Sequence, residues 1–168
     1  MAGQDRVHNV LFLCTGNSAR SILCEAYLNF VGAGRFKAYS AGSRPAGRVN
    51  PLALETLKTA RVPFVAARSK SWGEFARADA PEMHFVITVC DQAAGEICPV
   101  WPGQPINAHW SYSDPAAFVG PDVEARARFL DVFRQIRTRI DIFAALPFEK
   151  LDRLALKKKM DEIGRTKP

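Results

Sequence analysis

The strongest chemical signal in the sequence is a cysteine followed six residues later by arginine and serine, in the stretch Cys14-Thr15-Gly16-Asn17-Ser18-Ala19-Arg20-Ser21. Backbone N–H groups of a loop that opens a helix can turn inward and bind a tetrahedral anion. Arg20 adds a planar pair of donors that matches two oxygens of a phosphate-like ion. Cys14 places a thiol at the mouth of this loop. The stretch therefore predicts an oxyanion site with a cysteine nucleophile.

The residues inside the loop have separate expected tasks. Gly16 is expected to adopt the unusual backbone angles of the turn, Asn17 to brace the loop, and Ser21 to donate a hydrogen bond to the thiolate. The same field should lower the pKa of Cys14, since a thiol is about 5% ionised near neutral pH at its usual pKa and mostly ionised at a pKa of about 6.5. The alternative interpretation, a buried core cysteine in a glycine turn, explains neither the arginine nor the serine.

Apolar and amphipathic runs alternate along the chain, so the sequence predicts strands that alternate with helices. The expected strands are 7–13, 36–40, 84–89 and 106–110, and the expected helices are 19–31, 51–61, one that Pro121 opens, and 148–163, with a loop and a helical turn over 68–75. This order is typical of an α/β domain with a central four-stranded parallel sheet, covered on both faces and flanked by helices in three layers.

Ligands of such sheets bind beyond the carboxyl ends of the strands. Cys14, Cys90 and Asp114 each follow a predicted strand, so their loops should gather at one edge. A carboxylic acid held over the Cys14 loop could protonate a leaving group, although an isolated Asp-Pro pair is most often only a turn. Asp114 is therefore the candidate general acid.

The loop resembles that of the low-molecular-weight protein tyrosine phosphatase family, and Thr-Gly-Asn-Ser-Ala-Arg-Ser within it is closest to the arsenate reductase branch of that family. The similarity covers roughly residues 7–147. It includes Ser40-Ala41-Gly42, Gly47-Arg48-Val49-Asn50-Pro51, Arg68-Ser69-Lys70-Ser71-Trp72, Thr88-Val89-Cys90-Asp91 and Cys98-Pro99-Val100-Trp101-Pro102-Gly103. The resemblance supports Asp114 as the general acid.

The resemblance also implies a relay of three cysteines. Cys14 would form an adduct with arsenate, Cys90 would attack that adduct and release arsenite, and Cys98 would take over the disulfide and present it to thioredoxin or a glutaredoxin-type thiol donor. The stretch between Cys90 and Cys98 is one residue longer than in the best-known thioredoxin-coupled members. The final disulfide, Cys90 with Cys98 or Cys14 with Cys90, therefore stays open.

Two other functions remain possible on the sequence. A tyrosine phosphatase would use only Cys14, Arg20 and Asp114, but the segment after Asp114, Pro115-Ala116-Ala117-Phe118, lacks the tyrosines that usually flank a phosphotyrosine ring, and Cys90 and Cys98 would have no task. A phosphoanion-binding or redox-sensing protein without turnover would leave Asp114 unexplained.

Composition limits the remaining classes. The 168 residues suit one domain, divided here into a catalytic part, 1–147, and a helical extension, 148–168; four cysteines without a signal segment predict a cytoplasmic protein with reactive thiols. The net charge of +6 is not accompanied by a stripe of basic and aromatic residues, so we expect no nucleic-acid partner. The sequence has no long apolar run, so we expect no membrane partner. We also expect a monomer without cofactor or metal. Asn17, Glu25 and Ser40 match a potassium site of some relatives, but the acidic residue expected near Ser71 is missing.

Overall fold

The computed structural model describes residues 6–64, 67–96, 99 and 101–166. The strands are β1 (His8–Cys14), β2 (Phe36–Gly42), β3 (Phe85–Thr88) and β4 (Ile106–His109). The helices are α1 (Arg20–Val31), α2 (Pro51–Thr59), α3 (Asp91–Ala94), α4 (Asp122–Ala144) and α5 (Arg153–Arg165), and short 3-10 turns lie at Trp72–Phe75, Pro115–Ala117 and Phe148–Lys150. The predicted α/β domain with four parallel strands is confirmed.

The sheet has the order β2-β1-β3-β4, and every neighbouring pair is parallel. After β2 the chain crosses to the other side of β1, so the order reverses between β1 and β3. Leu13 of β1 is in register with Thr88 of β3, and Val89 N–H donates to Leu13 O at 2.8 Å. The cysteines that follow, Cys14 and Cys90, therefore leave the sheet side by side at the position where ligands bind to this class of fold.

The central strand β1 is buried on both faces, and its side chains divide alternately between two apolar clusters. Val10, Phe12 and Cys14 belong to a large cluster that also contains residues of α1, α2, α4 and α5, while Leu11 and Leu13 pack with Phe75, Met83 and Trp101 on the other face. Because residues on one face of a strand recur every second position, the strand that buries Val10 and Phe12 also directs Cys14 toward the helical layer.

The segment after Cys90 differs from the loop expected there. Asp91–Ala94 forms one helical turn, with Asp91 at its start. An acidic residue at the beginning of a helix interacts favourably with the free N–H groups of the first turn. The sequence signal was weak because four residues are too few to show helical periodicity.

The C-terminal helix α5 is packed onto β4, at one edge of the sheet. Met160 and Ile163 are buried in the large cluster, and Trp110 Nε1 donates to Met160 O at 3.0 Å. An added Cβ at Gly164 would overlap His109 O, so glycine is needed for this close approach. Two side chains of α5 reach the β4 side of the sheet: Lys157 Nζ donates to Asn107 O at 2.6 Å, and Arg153 Nη2 donates to Gln104 O at 2.7 Å.

The predicted helix over 148–163 is thus a 3-10 turn followed by α5, since Asp152 caps the helix through a 2.8 Å hydrogen bond from Ala155 N–H. The division of the chain at residue 147 stays a prediction. Among the described residues, the helices are too short or too polar to span a lipid bilayer.

Candidate active site

The segment between β1 and α1 is a loop whose carbonyl groups point outward. Arg44 N–H donates to Thr15 O at 3.0 Å, Ala46 N–H to Gly16 O at 2.9 Å, and Asn50 N–H to Ser18 O at 2.8 Å. The N–H groups of residues 15–19 donate to no backbone carbonyl of the described residues. A loop that turns its carbonyls outward and keeps its N–H groups free is suited to bind an anion.

Asn17 lies fully buried inside this loop and fixes its shape. Its side chain donates to Ser21 Oγ at 2.8 Å and accepts from Lys70 N–H at 2.8 Å. Asn17 also adopts the left-handed backbone conformation, with φ at 45°, and the expectation that Gly16 would supply this conformation is wrong. Asparagine is one of the few residues with a side chain that tolerate such angles.

Glycine is required instead at Gly42, the last residue of β2. A Cβ there would overlap Thr15 O and lie 2.9 Å from Cys14 O, so only glycine lets β2 approach the loop this closely.

Arg20, the first residue of α1, connects the loop to the segment that follows β4. Its Nη1 donates to Tyr112 O at 3.0 Å, and its Nη2 lies 3.7 Å from Asp114 Oδ2. The other carboxylate oxygen of Asp114 accepts from Ala116 N–H at 3.0 Å, which fixes the Asp-Pro turn. The structure therefore brings Asp114 to the same edge as Cys14 and Arg20, and its side chain is 43% exposed there.

The thiols of Cys14 and Cys90 interact with each other, and each shifts the pKa of the other. The interaction with Cys14, together with donors on Ala93 and Thr15, lowers the pKa of Cys90 to about 5. The same interaction, and then burial, raises the pKa of Cys14, while the positive charge of Arg20 and the Gly16 N–H lower it. The pair therefore holds one thiolate and one proton, because two adjacent thiolates repel each other.

This result differs from the expected low pKa at Cys14. The loop does favour a negative charge, but the contact with Cys90 raises the pKa of Cys14, so the two thiols share one charge and one proton. The sequence could not indicate this, because the effect depends on the contact between two distant segments.

A carboxylate from the segment after Cys90 reaches back to the loop. Glu96 accepts from Ser43 Oγ at 2.7 and 2.8 Å, through its two oxygens, and from Thr15 Oγ1 at 3.3 Å. The Thr15 hydroxyl also lies 3.7 Å from Cys90 Sγ. At the other end of the same segment, Asp91 Oδ1 lies 2.9 Å from His109 Nε2, and the hydrogen bond lowers the pKa of Asp91.

Behind the loop, Lys70 places a buried ammonium group among oxygens. Its Nζ donates to Arg68 O at 2.8 Å and lies 3.4 Å from Ser40 Oγ and 3.6 Å from Glu25 Oε1. Ser40 Oγ also donates to Glu25. The ammonium lies within the set of oxygens that a potassium ion would need, so these residues do not fit a potassium site. In the described part of the chain, no group of three or more acidic, histidine or cysteine side chains could hold a metal.

The remaining cysteines differ in what the structure says of them. Cys24 is completely buried on α1, as expected of a small core residue. Cys98 lies outside the described residues, so its place in the relay stays a prediction. Sequence reasoning missed Ser43, Lys70 and Glu96, and their contacts with the loop come from segments that no local motif connects.

The sequence profile of the low molecular weight phosphotyrosine protein phosphatase family matches residues 9–153. The chain belongs to this family. Within the family, it is 34% identical to an arsenate reductase of Halalkalibacterium halodurans, over 80% of this chain and 94% of that protein.

Solved structures of arsenate reductases have a similar fold. A thioredoxin-dependent arsenate reductase of Corynebacterium glutamicum is 25% identical, with a TM-score of 0.54, over 83% of this chain and 66% of that chain. An arsenate reductase in its phosphate-binding state is also 25% identical, with a TM-score of 0.64, over 82% of this chain and 97% of that chain.

Proposed function

We propose that the protein is an arsenate reductase in which Cys14 is the nucleophile and Cys90 the resolving thiol. The observation that carries this proposal is the placement of Cys90 beside Cys14, because the paired strands β1 and β3 end side by side at the mouth of the loop. Phosphate-ester hydrolysis needs no second thiol, whereas reduction of arsenate needs two electrons, which two adjacent thiols provide. The 34% identity to an arsenate reductase supports the same choice.

Binding of the oxyanion is the first step. The inward N–H groups of residues 15–20 surround the anion, Arg20 binds two of its oxygens, and Ser21 and Asn17 hold the loop in shape. An incoming arsenate competes with Asp114 for the guanidinium of Arg20, since the 3.7 Å contact between them occupies one of its nitrogens. This exchange leaves the Asp114 carboxyl next to the oxygen that departs.

Formation of the adduct is the second step. The Cys14 thiolate attacks arsenic, and one arsenate oxygen leaves as water with a proton from Asp114. Arg20 and the Gly16 N–H stabilise the charge on Cys14 when it ionises. The proton that the two thiols shared passes through Cys90 to solvent, which leaves Cys90 as a thiolate for the next step.

Reduction is the third step. The Cys90 thiolate attacks Cys14 Sγ, a disulfide forms between them, and the sulfur–arsenic bond breaks with its electron pair on arsenic. Arsenic(V) thereby becomes arsenic(III), released as arsenite, and two thiols become one disulfide. Cys98 then attacks Cys90 Sγ and expels the Cys14 thiolate, which leaves Cys90 and Cys98 joined.

A dithiol donor must reduce this disulfide for a second turnover. The similarity to a thioredoxin-dependent arsenate reductase favours thioredoxin, with a glutaredoxin-type donor as the alternative. Since thioredoxin keeps thiols reduced in the cytoplasm, we assign the protein to that compartment, acting as a monomer.

Single turnover without added reductant tests this proposal. Reduced protein mixed with arsenate should release about one equivalent of arsenite per chain and acquire one disulfide that contains Cys90. Arsenite is measured by ion chromatography and the disulfide by peptide mass mapping after rapid alkylation. Release of arsenite only when a small thiol is added would contradict the relay, and no release under any reductant would contradict the reductase.

Asp114→Asn is expected to slow formation of the adduct by a factor on the order of 10² to 10⁴, because the general acid is lost. Binding of arsenate should change little, because the loop N–H groups and Arg20 remain. Rapid-quench measurement of the first turnover gives the rate, and competition by phosphate gives the affinity. A variant with weaker affinity and an unchanged maximal rate would show that Asp114 only positions the substrate.

A further inference from the structure

Glu96 connects three segments that meet at the active site. It ends the short stretch that begins with Cys90, and its carboxylate accepts hydrogen bonds from Ser43, directly after β2, and from Thr15, directly after Cys14. No other acidic side chain of the described residues hydrogen-bonds to Thr15 or Ser43. Glu96 thus joins the segment of the resolving thiol to the loop of the nucleophile.

We propose that Glu96 is a positioning residue for the thiol relay, and that its carboxylate holds Cys90 against Cys14 by fastening the Cys90 segment to Ser43 and Thr15. This inference rests on the proposed function and names a residue that the nucleophile, the general acid and the resolving thiol do not include.

The first argument is geometric. Attack of one sulfur on another needs the two at bonding distance and in line, and a displacement of about 1 Å can cost on the order of 10²-fold in rate. Cys90 lies at the start of a helix of only four residues, Asp91–Ala94, which has too few internal hydrogen bonds to hold a position by itself. Contacts with other segments must therefore hold it in place. His109 binds Asp91 at the start of the helical turn, and Ser43 binds Glu96 two residues beyond its end.

The second argument is the Thr15 hydroxyl, which has a single proton. It lies 3.3 Å from Glu96 Oε1 and 3.7 Å from Cys90 Sγ, so it donates either to the carboxylate or to the thiolate. A thiolate at Cys90 competes for this proton, while a disulfide at Cys90 does not. The hydrogen bond from Thr15 to Glu96 thus depends on the oxidation state of Cys90, whereas the hydrogen bonds from Ser43 to Glu96 do not.

The groups that determine the ionisation of Cys90 all meet at this point. Cys14 shares a proton with it, donors on Ala93 and Thr15 stabilise its thiolate, and Glu96 and Asp91 are the carboxylates of its own segment. Loss of the Glu96 carboxylate frees the Thr15 proton for Cys90, but it also lets Cys90 move away from Cys14, which lowers the pKa of Cys90 most. Its thiolate should then form only at higher pH.

The pH profile of Cys90 alkylation measures this without any arsenate. In the wild-type protein, iodoacetamide should modify Cys90 with a midpoint near its pKa of about 5, since the thiolate persists above that pH. Glu96→Ala should shift the midpoint upward by about one pH unit or more, which lowers the thiolate fraction at the wild-type midpoint by about fivefold or more. Single-turnover release of arsenite should fall by about 10- to 100-fold.

Two further variants separate positioning from charge. Glu96→Gln keeps an oxygen that accepts from Ser43 and should retain a midpoint no higher than that of the wild type. Ser43→Ala should reproduce part of the Glu96→Ala shift. The double variant should equal Glu96→Ala alone, because both substitutions remove the same contact between Ser43 and Glu96. Glu149→Ala removes an exposed carboxylate outside the site and should change nothing.

An unshifted alkylation midpoint in Glu96→Ala, with the far-ultraviolet circular dichroism of the wild type, would overturn the proposal while leaving the reductase intact. So would an upward shift in Glu96→Gln as large as that in Glu96→Ala, since the charge and not the fastening would then be responsible. Wild-type protein that releases no arsenite would instead contradict the proposed function, and the alkylation result would still decide the role of Glu96.

Discussion

Cys14→Ser is expected to abolish both reduction of arsenate and hydrolysis of a chromogenic phosphate ester, by a factor on the order of 10³ or more in each rate. A serine hydroxyl does not ionise near neutral pH in the field of Arg20 and the Gly16 N–H, which act on a thiol whose unperturbed pKa is several units lower. Steady-state assays of the two reactions, at saturating arsenate and ester, measure the loss.

Cys24→Ala is the matched control, because Cys24 is a completely buried cysteine on α1 that lies in the apolar core and not in the loop. This variant can lose stability through the missing sulfur, but its folded fraction should keep both activities. Turnover by Cys14→Ser that is clearly faster than the background rate measured with denatured protein would show that Cys14 is not part of the mechanism.

Cys90→Ser should separate the two reactions. Release of arsenite in the absence of added thiol should fall below detection, because no second sulfur can attack the Cys14 adduct. Hydrolysis of the phosphate ester should persist, since the loop, Arg20 and Asp114 are unchanged. Removal of the Cys90 thiol also removes the interaction that raises the pKa of Cys14, so the hydrolysis should extend to lower pH than in the wild-type protein.

The sign of this shift follows from the ionised form that reacts. In the proposed mechanism the nucleophile is the Cys14 thiolate, and a lower pKa keeps it ionised at lower pH, so the acidic limb of the pH–rate profile moves toward acid. An unchanged acidic limb would mean that Cys90 does not share its proton with Cys14. A complete single turnover in Cys90→Ser without external thiol would contradict the relay.

The parts of the site that are local in the chain, or that follow from sheet topology, could be predicted from the sequence. The Cys14 loop could be predicted because its residues are consecutive and each has a task in anion binding. Cys90 and Asp114 could be placed beside it because the carboxyl ends of parallel strands meet at one edge. The sheet itself could be predicted from hydrophobic periodicity, which indicates which segments are strands.

The remaining features depend on contacts between segments that lie far apart in the chain. Lys70 and Glu96 look like ordinary surface residues in the sequence, and only the fold places their charges against Ser40 and Ser43. The same reason explains the error at Gly16, because the choice between it and Asn17 for the left-handed position was made by the bond of Asn17 to the Lys70 N–H. Long-range hydrogen bonds of this kind produce no periodic pattern in the sequence, so they could not be predicted from it.

The packing of α5 on β4 has a consequence for the behaviour of the protein in concentrated solution. β4 is an edge strand, and unpaired carbonyls on such a strand can recruit a strand of another molecule and start aggregation. Lys157 occupies the Asn107 carbonyl with a charged side chain. Next to it, Lys158 and Lys159 add positive charge that repels a second copy of the chain. We therefore expect the helix to hinder self-association through β4 while it completes the core.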